Sequence, residues 1–170
     1  MTHSNDSNSE NLKKIREMIK DIDYAMLTTI DSEGKLHSRP MATNKEVEFD
    51  GDVWFFTYAS SLKVDEINRH HEVNVSYAAP NKQSYISLSG VAELVRDRSK
   101  LEELWQPQLK AWFPKEIDEP DIALLKVNVE KAEYWDSPSS MIANAISLAK
   151  AVATGKPASN VGEHEKVDLK

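Results

Sequence analysis

The chain of 170 residues contains no cysteine. This absence excludes disulfides, thiolate nucleophiles, iron–sulfur clusters and cysteine-based zinc sites together. The sequence also lacks the Gly-x-Gly-x-x-Gly pattern of dinucleotide-binding domains and the P-loop pattern, which are the common glycine-rich phosphate loops. No apolar run approaches the roughly 18 residues that a membrane-spanning helix needs. His70 and His71 have no spaced third ligand, so we predict no metal site.

The chain has fewer positive than negative residues: 21 Lys and Arg residues and 28 Asp and Glu residues give a net charge of −7. Phosphate backbones and acidic lipids repel such a chain, which disfavours general binding to nucleic acids or membranes. A local basic pocket for a small phosphate remains possible. Residues 1–11 are polar and lack the apolar segment of a secretory signal, which, with the lack of cysteine, predicts a cytoplasmic protein.

The composition that remains is 40% apolar and 29% charged, which is typical of a globular protein. We predict a disordered N-terminal tail over residues 1–11, a single domain over residues 12–154 and a polar C-terminal tail over residues 155–170. Apolar residues at helical spacing predict one helix over Leu12–Ile22 and a final helix over Ser139–Thr154.

Between these helices the pattern favours short antiparallel strands. The predicted strands are Tyr24–Ile30, Leu36–Asn44, Val47–Phe49 paired in a hairpin with Asp52–Tyr58, Glu72–Ala79, Ser84–Arg96 with a bulge or corner at Gly90, and Ile122–Trp135. No alternation of strands and long helices is present, so a mainly β fold is favoured, with about six strands in a closed or split antiparallel barrel.

The run Val53–Tyr58 is apolar at both alternating sets of positions. A strand with one wet face would alternate, so this strand should be covered on both sides. The barrel interior covers one side, and a partner subunit is the simplest cover for the other in so short a chain.

The most informative segment is Phe56–Lys63, where a strand ends in a hydroxyl-rich turn and a helix begins with a lysine in its first turn. Free backbone N–H groups, the positive end of the helix dipole, hydroxyl donors and a cation together make a phosphate-binding corner. An ordinary serine-capped helix with a solvated Lys63 explains the segment as well.

Two further residues extend this hypothesis. Arg39 lies in the segment Ser38-Arg39-Pro40-Met41, where a guanidinium could bind a phosphate with two hydrogen bonds; a surface arginine on an edge strand is the alternative. Among several large aromatic rings, Trp135 lies late in the last strand and is the one we place in a site for a flat heterocycle, although core or interface rings are more common.

Taken together, several stretches resemble the pyridoxamine 5′-phosphate oxidase-like, FMN-binding split-barrel family, and within it the bacterial general stress proteins. The stretches are Ser38-Arg39-Pro40-Met41, Trp54-Phe55-Phe56-Thr57 with Ser61-Leu62-Lys63, Ser87 to Glu93, Leu104 to Pro114, and Ala132 to Asp136. The resemblance covers roughly Leu12 to Ser140. It implies a six-stranded split β-barrel and a homodimer with flavin mononucleotide (FMN) at the interface.

The resemblance also implies the residues of the flavin site. Thr57 lies along the flavin as a hydrogen-bond donor, Ser61 and Lys63 hold the phosphate, and Trp135 comes from the other subunit. The full predicted set is Ser38, Arg39, Pro40, Met41, Ala42, Phe55, Phe56, Thr57, Ser61, Leu62, Lys63, Tyr85 and Trp135. No catalytic residue is assigned.

The sequence departs from the true oxidases at three places where they carry basic residues. Leu62 precedes the phosphate lysine, Asn44 stands at the position of a substrate-binding lysine, and residues 136–140 contain no cation. A doubly charged substrate phosphate would find few partners there. We therefore expect FMN binding and flavin-dependent redox chemistry on an unknown small molecule, without efficient oxidation of pyridoxamine 5′-phosphate. The alternatives are a non-catalytic flavin-binding or flavin-buffering stress protein, or a relative that binds heme or a deazaflavin.

Overall fold

The computed structural model describes residues 3–44, 47–137, 141–155 and 163–169. The strands are β1 Tyr24–Ile30, β2 Leu36–Ala42, β3 Asp52–Tyr58, β4 Glu72–Ala79, β5 Ser84–Val95, β6 Ile122–Asp136 and β7 Glu163–Asp168. The α-helices are α1 His3–Ile19, α2 Leu62–Arg69, α3 Arg98–Leu104 and α4 Met141–Thr154. Among these described helices, none is long and apolar enough to cross a membrane.

All strands join one antiparallel sheet with the order β2-β1-β4-β5-β6-β3, and β7 adds to the free part of β6. The sheet curls into a half-barrel with helices at its periphery, which confirms the mainly β, split-barrel prediction. The predicted irregularity at Gly90 is also confirmed, since the register between β5 and β6 shifts between Ser89 and Gly90. A β-bulge of this kind bends a long strand and increases its twist.

The main core lies inside the curl, between the sheet and helices α1 and α2. Ile15 of α1, Leu27 of β1 and Ile67 of α2 are fully buried there. The alternating burial along β1, β3 and β4 follows from the two-residue period of a strand, which turns every second side chain inward.

The predicted hairpin between Val47–Phe49 and β3 is wrong. Residues 47–49 form no strand, and β3 pairs instead with β6 from Asp52↔Asn128 to Tyr58↔Ile122. A stretch of three residues offers few ladder hydrogen bonds, whereas the pairing with β6 continues over the whole of β3. Phe49 is nevertheless buried and joins the main core.

The interpretation that a partner subunit covers the second face of β3 is also wrong. Trp54, Phe56 and Tyr58 pack against a second apolar cluster that α3 and the following 3-10 turns of the same chain supply. Phe56 makes an edge-to-face contact with Trp105, with ring centroids 5.6 Å apart. This cover comes from residues far along the chain, so the local pattern of β3 could not reveal it.

Two stretches predicted as tails contain regular structure. Helix α1 begins at His3 rather than near Leu12, and β7 lies within the predicted C-terminal tail. Residues 139 and 140 of the predicted final helix, and residues 156–162, lie outside the described residues. The strand β7 is polar on both faces except for the buried Val167, so its sequence alone had no strand-like alternation.

Candidate functional site

The corner between β3 and α2 places hydroxyl groups at the start of a helix, and the Ser60 N–H and hydroxyl group both donate to the carboxylate of Asp121 there. Ser61 occupies the N-cap position of α2 but makes no side-chain capping hydrogen bond. Its hydroxyl instead lies 3.2 Å from the hydroxyl of Thr57, which is itself buried. The helix start therefore keeps its positive end, with two hydroxyl groups beside it and no side-chain acceptor from Ser61.

Lys63 lies in the first turn of α2 and is half-buried. Burial lowers the pKa of its ammonium group, the nearby charge of Arg39 lowers it further, and the charge of Glu66 partly offsets both. No hydrogen bond or ion pair joins this ammonium group to another residue in the part of the chain that the structure describes. A half-buried cation beside a second cation is a position that an anion would stabilise.

Arg39 belongs to a buried polar network on the inner face of the sheet. Its Nη2 atom lies 2.6 Å from the Glu66 carboxylate, and its Nη1 atom donates to the Thr29 hydroxyl at 2.5 Å. Thr29 in turn donates to Glu66 at 2.5 Å. The side chain of Arg39 is 16% exposed and that of Glu66 only 4%, so the guanidinium is held in one orientation.

Glu66 is ionised in spite of its burial. Desolvation opposes the charge, but hydrogen bonds from Thr29 and His37 and the charge and hydrogen bond of Arg39 together lower the pKa of this carboxyl group. Its charge offsets that of Arg39, so Arg39, Glu66 and Lys63 together keep one positive charge in excess.

Glu66 and its partners Thr29 and His37 were not predicted from the sequence. The available signal was helical spacing, since Glu66 follows Lys63 by three residues and precedes the buried Ile67. This spacing places Lys63 and Glu66 on the same side of a short amphipathic helix.

The other predicted residues of β2 and β3 do not share one surface. Ser38, Pro40 and Ala42 lie on the solvent side of β2, whereas Arg39 and Met41 lie on the inner side. On β3, the side chain of Phe55 is in the core and that of Phe56 is in the second cluster. Neither ring presents a free face to the corner, so any contact of theirs with a ligand stays a prediction.

Tyr85 and Trp135 form a second, separate group. They are direct cross-strand partners on β5 and β6, and their side chains are 44% and 40% exposed. They line an open hollow of about 550 Å³. Trp135 lies twelve residues along β6 from Ala123, the partner of Thr57, which is roughly 40 Å of strand at about 3.3 Å per residue.

No residue of the β3–α2 corner is among the described residues that line this hollow. The structure therefore brings the predicted residues together as two half-sites. One consists of Arg39, Thr57, Ser61 and Lys63, and we call it the cationic corner. The other consists of Tyr85 and Trp135, and we call it the aromatic hollow.

Residues 10–159 match the family model described as "Pyridoxamine 5'-phosphate oxidase like". The chain belongs to the pyridoxamine 5′-phosphate oxidase-like family. Over 144 residues it is 31% identical to protein bli-3 of Neurospora crassa, a match that covers 79% of this chain and 69% of that protein.

Solved structures of family relatives agree with the fold. The general stress FMN/FAD binding protein of Xanthomonas citri superposes with a TM-score of 0.67 at 26% identity, over 79% of this chain and 94% of that one. The General Stress Protein 26 of Bacillus anthracis gives a TM-score of 0.65 at 24% identity, over 74% and 93% of the two chains. The latter likeness shows the fold alone.

The departures from the oxidases of this family can now be placed in the structure. Leu62 is 65% exposed at the start of α2, beside the cationic corner. Asn44 donates a hydrogen bond from Nδ2 to the carbonyl of Leu104 at 2.7 Å, so its amide is part of the local packing. Of the segment after Trp135, residues 138–140 lie outside the described residues.

Proposed function

We propose that this family member binds FMN between two copies of the chain and serves as a flavin-dependent oxidoreductase for a small molecule. The observation that carries the proposal is the cationic corner, where the half-buried Lys63 has no counter-ion among the described residues and lies close to Arg39. The residues present fit a phosphate, since Lys63 and the hydroxyl groups of Thr57 and Ser61 lie at the positive end of a helix and the charge of Arg39 acts on Lys63.

The relative from Xanthomonas citri is described as binding FMN and FAD, which supports a flavin as the ligand. Together with Glu66, which pairs with Arg39, the cationic corner has one excess positive charge, and this balance favours a single terminal phosphate such as that of FMN. Lys63, Ser61 and Thr57 would hold that phosphate, with Arg39 behind them. Bound FMN would supply the redox chemistry through its ring system, while the chain orients the ring and limits access of water.

The separation of the two half-sites supports binding at a subunit interface. The aromatic hollow that Trp135 lines contains no residue of the cationic corner, and the family resemblance takes Trp135 from the other subunit. Two copies related by a two-fold axis would then form two equivalent sites.

A candidate surface for this dimer is the solvent side of β1, β2, β4 and β5. Strand β1 and residues 73–79 and 84–92 contain no charged residue, and Arg39, the charged residue of β2, points inward. Tyr24, Met26 and Tyr85 are exposed apolar residues on this side. Depletion of charge with exposed aromatic residues is typical of the central part of an interface.

We infer that pyridoxamine 5′-phosphate is a poor substrate. The aromatic hollow is lined by the carboxylates of Asp136 and Glu163 and by no lysine or arginine among the described residues. A second phosphate would be repelled there rather than bound. A cytoplasmic location stays a prediction, which cell fractionation would test.

The decisive experiment compares two ligands on one variant. Lys63→Met should weaken FMN binding about tenfold to one hundredfold, since a charge-assisted contact contributes about 1.5–3 kcal/mol. Binding of riboflavin, which lacks the phosphate, should not change. Titration of apo-protein by quenching of flavin fluorescence measures both constants.

Lys35→Met is the matched control, because Lys35 is exposed and its ion pair with Glu33 lies in an exposed turn. Apo-protein carrying Lys63→Met should unfold at the same temperature as wild-type apo-protein or at a higher one. The substitution removes a partly desolvated cation that has no counter-ion among the described residues. Equal loss of FMN and riboflavin, or no loss of either, would contradict the placement of the phosphate.

The visible spectrum of protein purified without added cofactor separates the flavin from heme and deazaflavin. Turnover of holo-protein with NAD(P)H and common electron acceptors separates an oxidoreductase from a flavin-buffering protein. Bound FMN without turnover would support the second function.

A further inference from the structure

His164 contacts the aromatic hollow from β7, a strand that the sequence did not predict. It is the direct cross-strand partner of Trp135 in the pairing of β6 and β7. The two rings are stacked, with centroids 5.1 Å apart and an angle of 10° between their planes. One face of the Trp135 indole is therefore covered, while the side chain keeps 40% of its surface exposed at the hollow.

The imidazole is itself held in place. Its Nε2 atom lies 2.7 Å from a carboxylate oxygen of Glu133, which stands diagonally opposite on β6. The hydrogen bond from His164 is the largest cause that lowers the pKa of this carboxyl group, and burial opposes it. Val167 anchors β7 from the other face of the sheet, so the position of His164 does not depend on the stack alone.

We propose that His164 is a positioning residue for Trp135, and that its Glu133-bound imidazole fixes the indole plane that a flat ligand ring meets in the aromatic hollow. This inference rests on the proposed function, since the ring it concerns is that of a flavin bound by the partner subunit. A large ring in an open hollow would otherwise lose rotamer freedom on binding, and ordering it in advance raises affinity.

Charged groups surround the stack on both faces of the sheet. Lys166, on the same face of β7, lies 3.6 Å from Glu133 and competes for it. Asp136 and Glu163 line the same hollow, and both lie within reach of Lys14 on the inner side.

The first arm of the test uses apo-protein and needs no flavin. The emission of Trp135 is obtained as the difference between the wild type and Trp135→Phe, and it is measured again with and without His164→Ala. The stacked imidazole shields one face of the indole from water, so His164→Ala should shift this emission to longer wavelength. An emission maximum that His164→Ala leaves unchanged would contradict the stack.

The second arm measures FMN affinity in a double-mutant cycle. His164→Ala should weaken binding about threefold to fivefold, as expected for a cross-strand aromatic contact, and should have no further effect in a Trp135→Ala background. His164→Phe, which keeps a ring on the indole, should restore affinity to within about twofold of the wild type. Lys35→Met, at an exposed position in the turn between β1 and β2, is the control and should leave the affinity within about twofold.

The outcomes of the two arms are distinguishable. Wild-type protein that binds neither FMN nor riboflavin would refute the proposed function, and the role of His164 with it. Normal FMN binding that His164→Ala leaves unchanged, or weakens equally with and without Trp135, would refute the positioning role alone.

Discussion

Glu66 shows how one buried side chain can set the charge of the candidate site. Its carboxylate neutralises Arg39 inside the sheet, and it offsets the charge of Lys63 only in part. The protein therefore keeps two cations at one corner without the full repulsion between them. An anion that binds there meets Lys63 first and an already oriented guanidinium behind it.

The substitution Glu66→Gln should change the free energy of unfolding and the FMN affinity in different ways. Removal of one partner of a buried ion pair costs about 3 kcal/mol, so we expect urea unfolding of apo-protein at pH 7 to show a loss of that size. FMN affinity should stay equal or increase, because the removed group is an anion. Asp65→Asn, at an exposed neighbouring position of α2, is the control and should change neither quantity.

The stability difference between the wild type and Glu66→Gln should depend on pH in a definite direction. Because the pKa of Glu66 lies below 4.5 in the folded protein, its ionised form stabilises the fold above pH 4.5. This contribution is lost as the pH falls through the lowered pKa. The stability difference between wild type and Glu66→Gln should therefore shrink on the acid side, and a difference that grows there would contradict the assignment.

Strands β5 and β6 are joined by a close backbone approach at the bulge. A Cβ atom on Gly90 would lie 2.0 Å from the carbonyl oxygen of Asn128 and 2.8 Å from its carbon, both of them backbone atoms. Only glycine fits there, because neither strand can retreat without breaking the ladder that connects the two half-sites.

Gly90→Ala should therefore destabilise the fold by about 3 kcal/mol or more, measured by urea unfolding. Gly34→Ala is the matched control: Gly34 has a φ of +79° but no atom within 4 Å of an added Cβ. Strain alone should cost about 1–2 kcal/mol there. Equal effects of the two substitutions would mean that the bulge can relax.

The assembly of the whole molecule is open to a complementation test. Lys63→Met and Trp135→Ala chains are co-expressed with different tags, and the mixed dimer is isolated. If each site takes Lys63 from one chain and Trp135 from the other, the mixed dimer has one intact and one doubly altered site. It should bind FMN with wild-type affinity at half the wild-type stoichiometry.

The two homodimers should both bind FMN weakly, which is the internal control. A mixed dimer without any site of wild-type affinity would show that the two residues do not act across an interface. Sedimentation of the wild-type holo-protein should give twice the chain mass.

Local sequence patterns predicted most of the strands and part of the candidate site. The strands β1, β2, β4, β5 and β6 follow from two-residue periodicity and turn residues, and the bulge follows from a glycine inside a long strand. The corner from Thr57 to Lys63 was predicted because the strand end, the hydroxyls and the helix start are neighbours in sequence. The family likeness came from the order of such local motifs.

Contacts between distant parts of the chain decided the rest. The pairing of β3 with β6, the cover of its second face by α3 and the docking of β7 all join residues far apart in sequence. Glu66 meets Arg39 only because α2 packs on β1, and His164 meets Trp135 only because β7 pairs with β6. The periodicity of the sequence does not predict these contacts. They form only where the stability gained from a long-range pairing offsets the entropy lost in closing the loop between the paired segments.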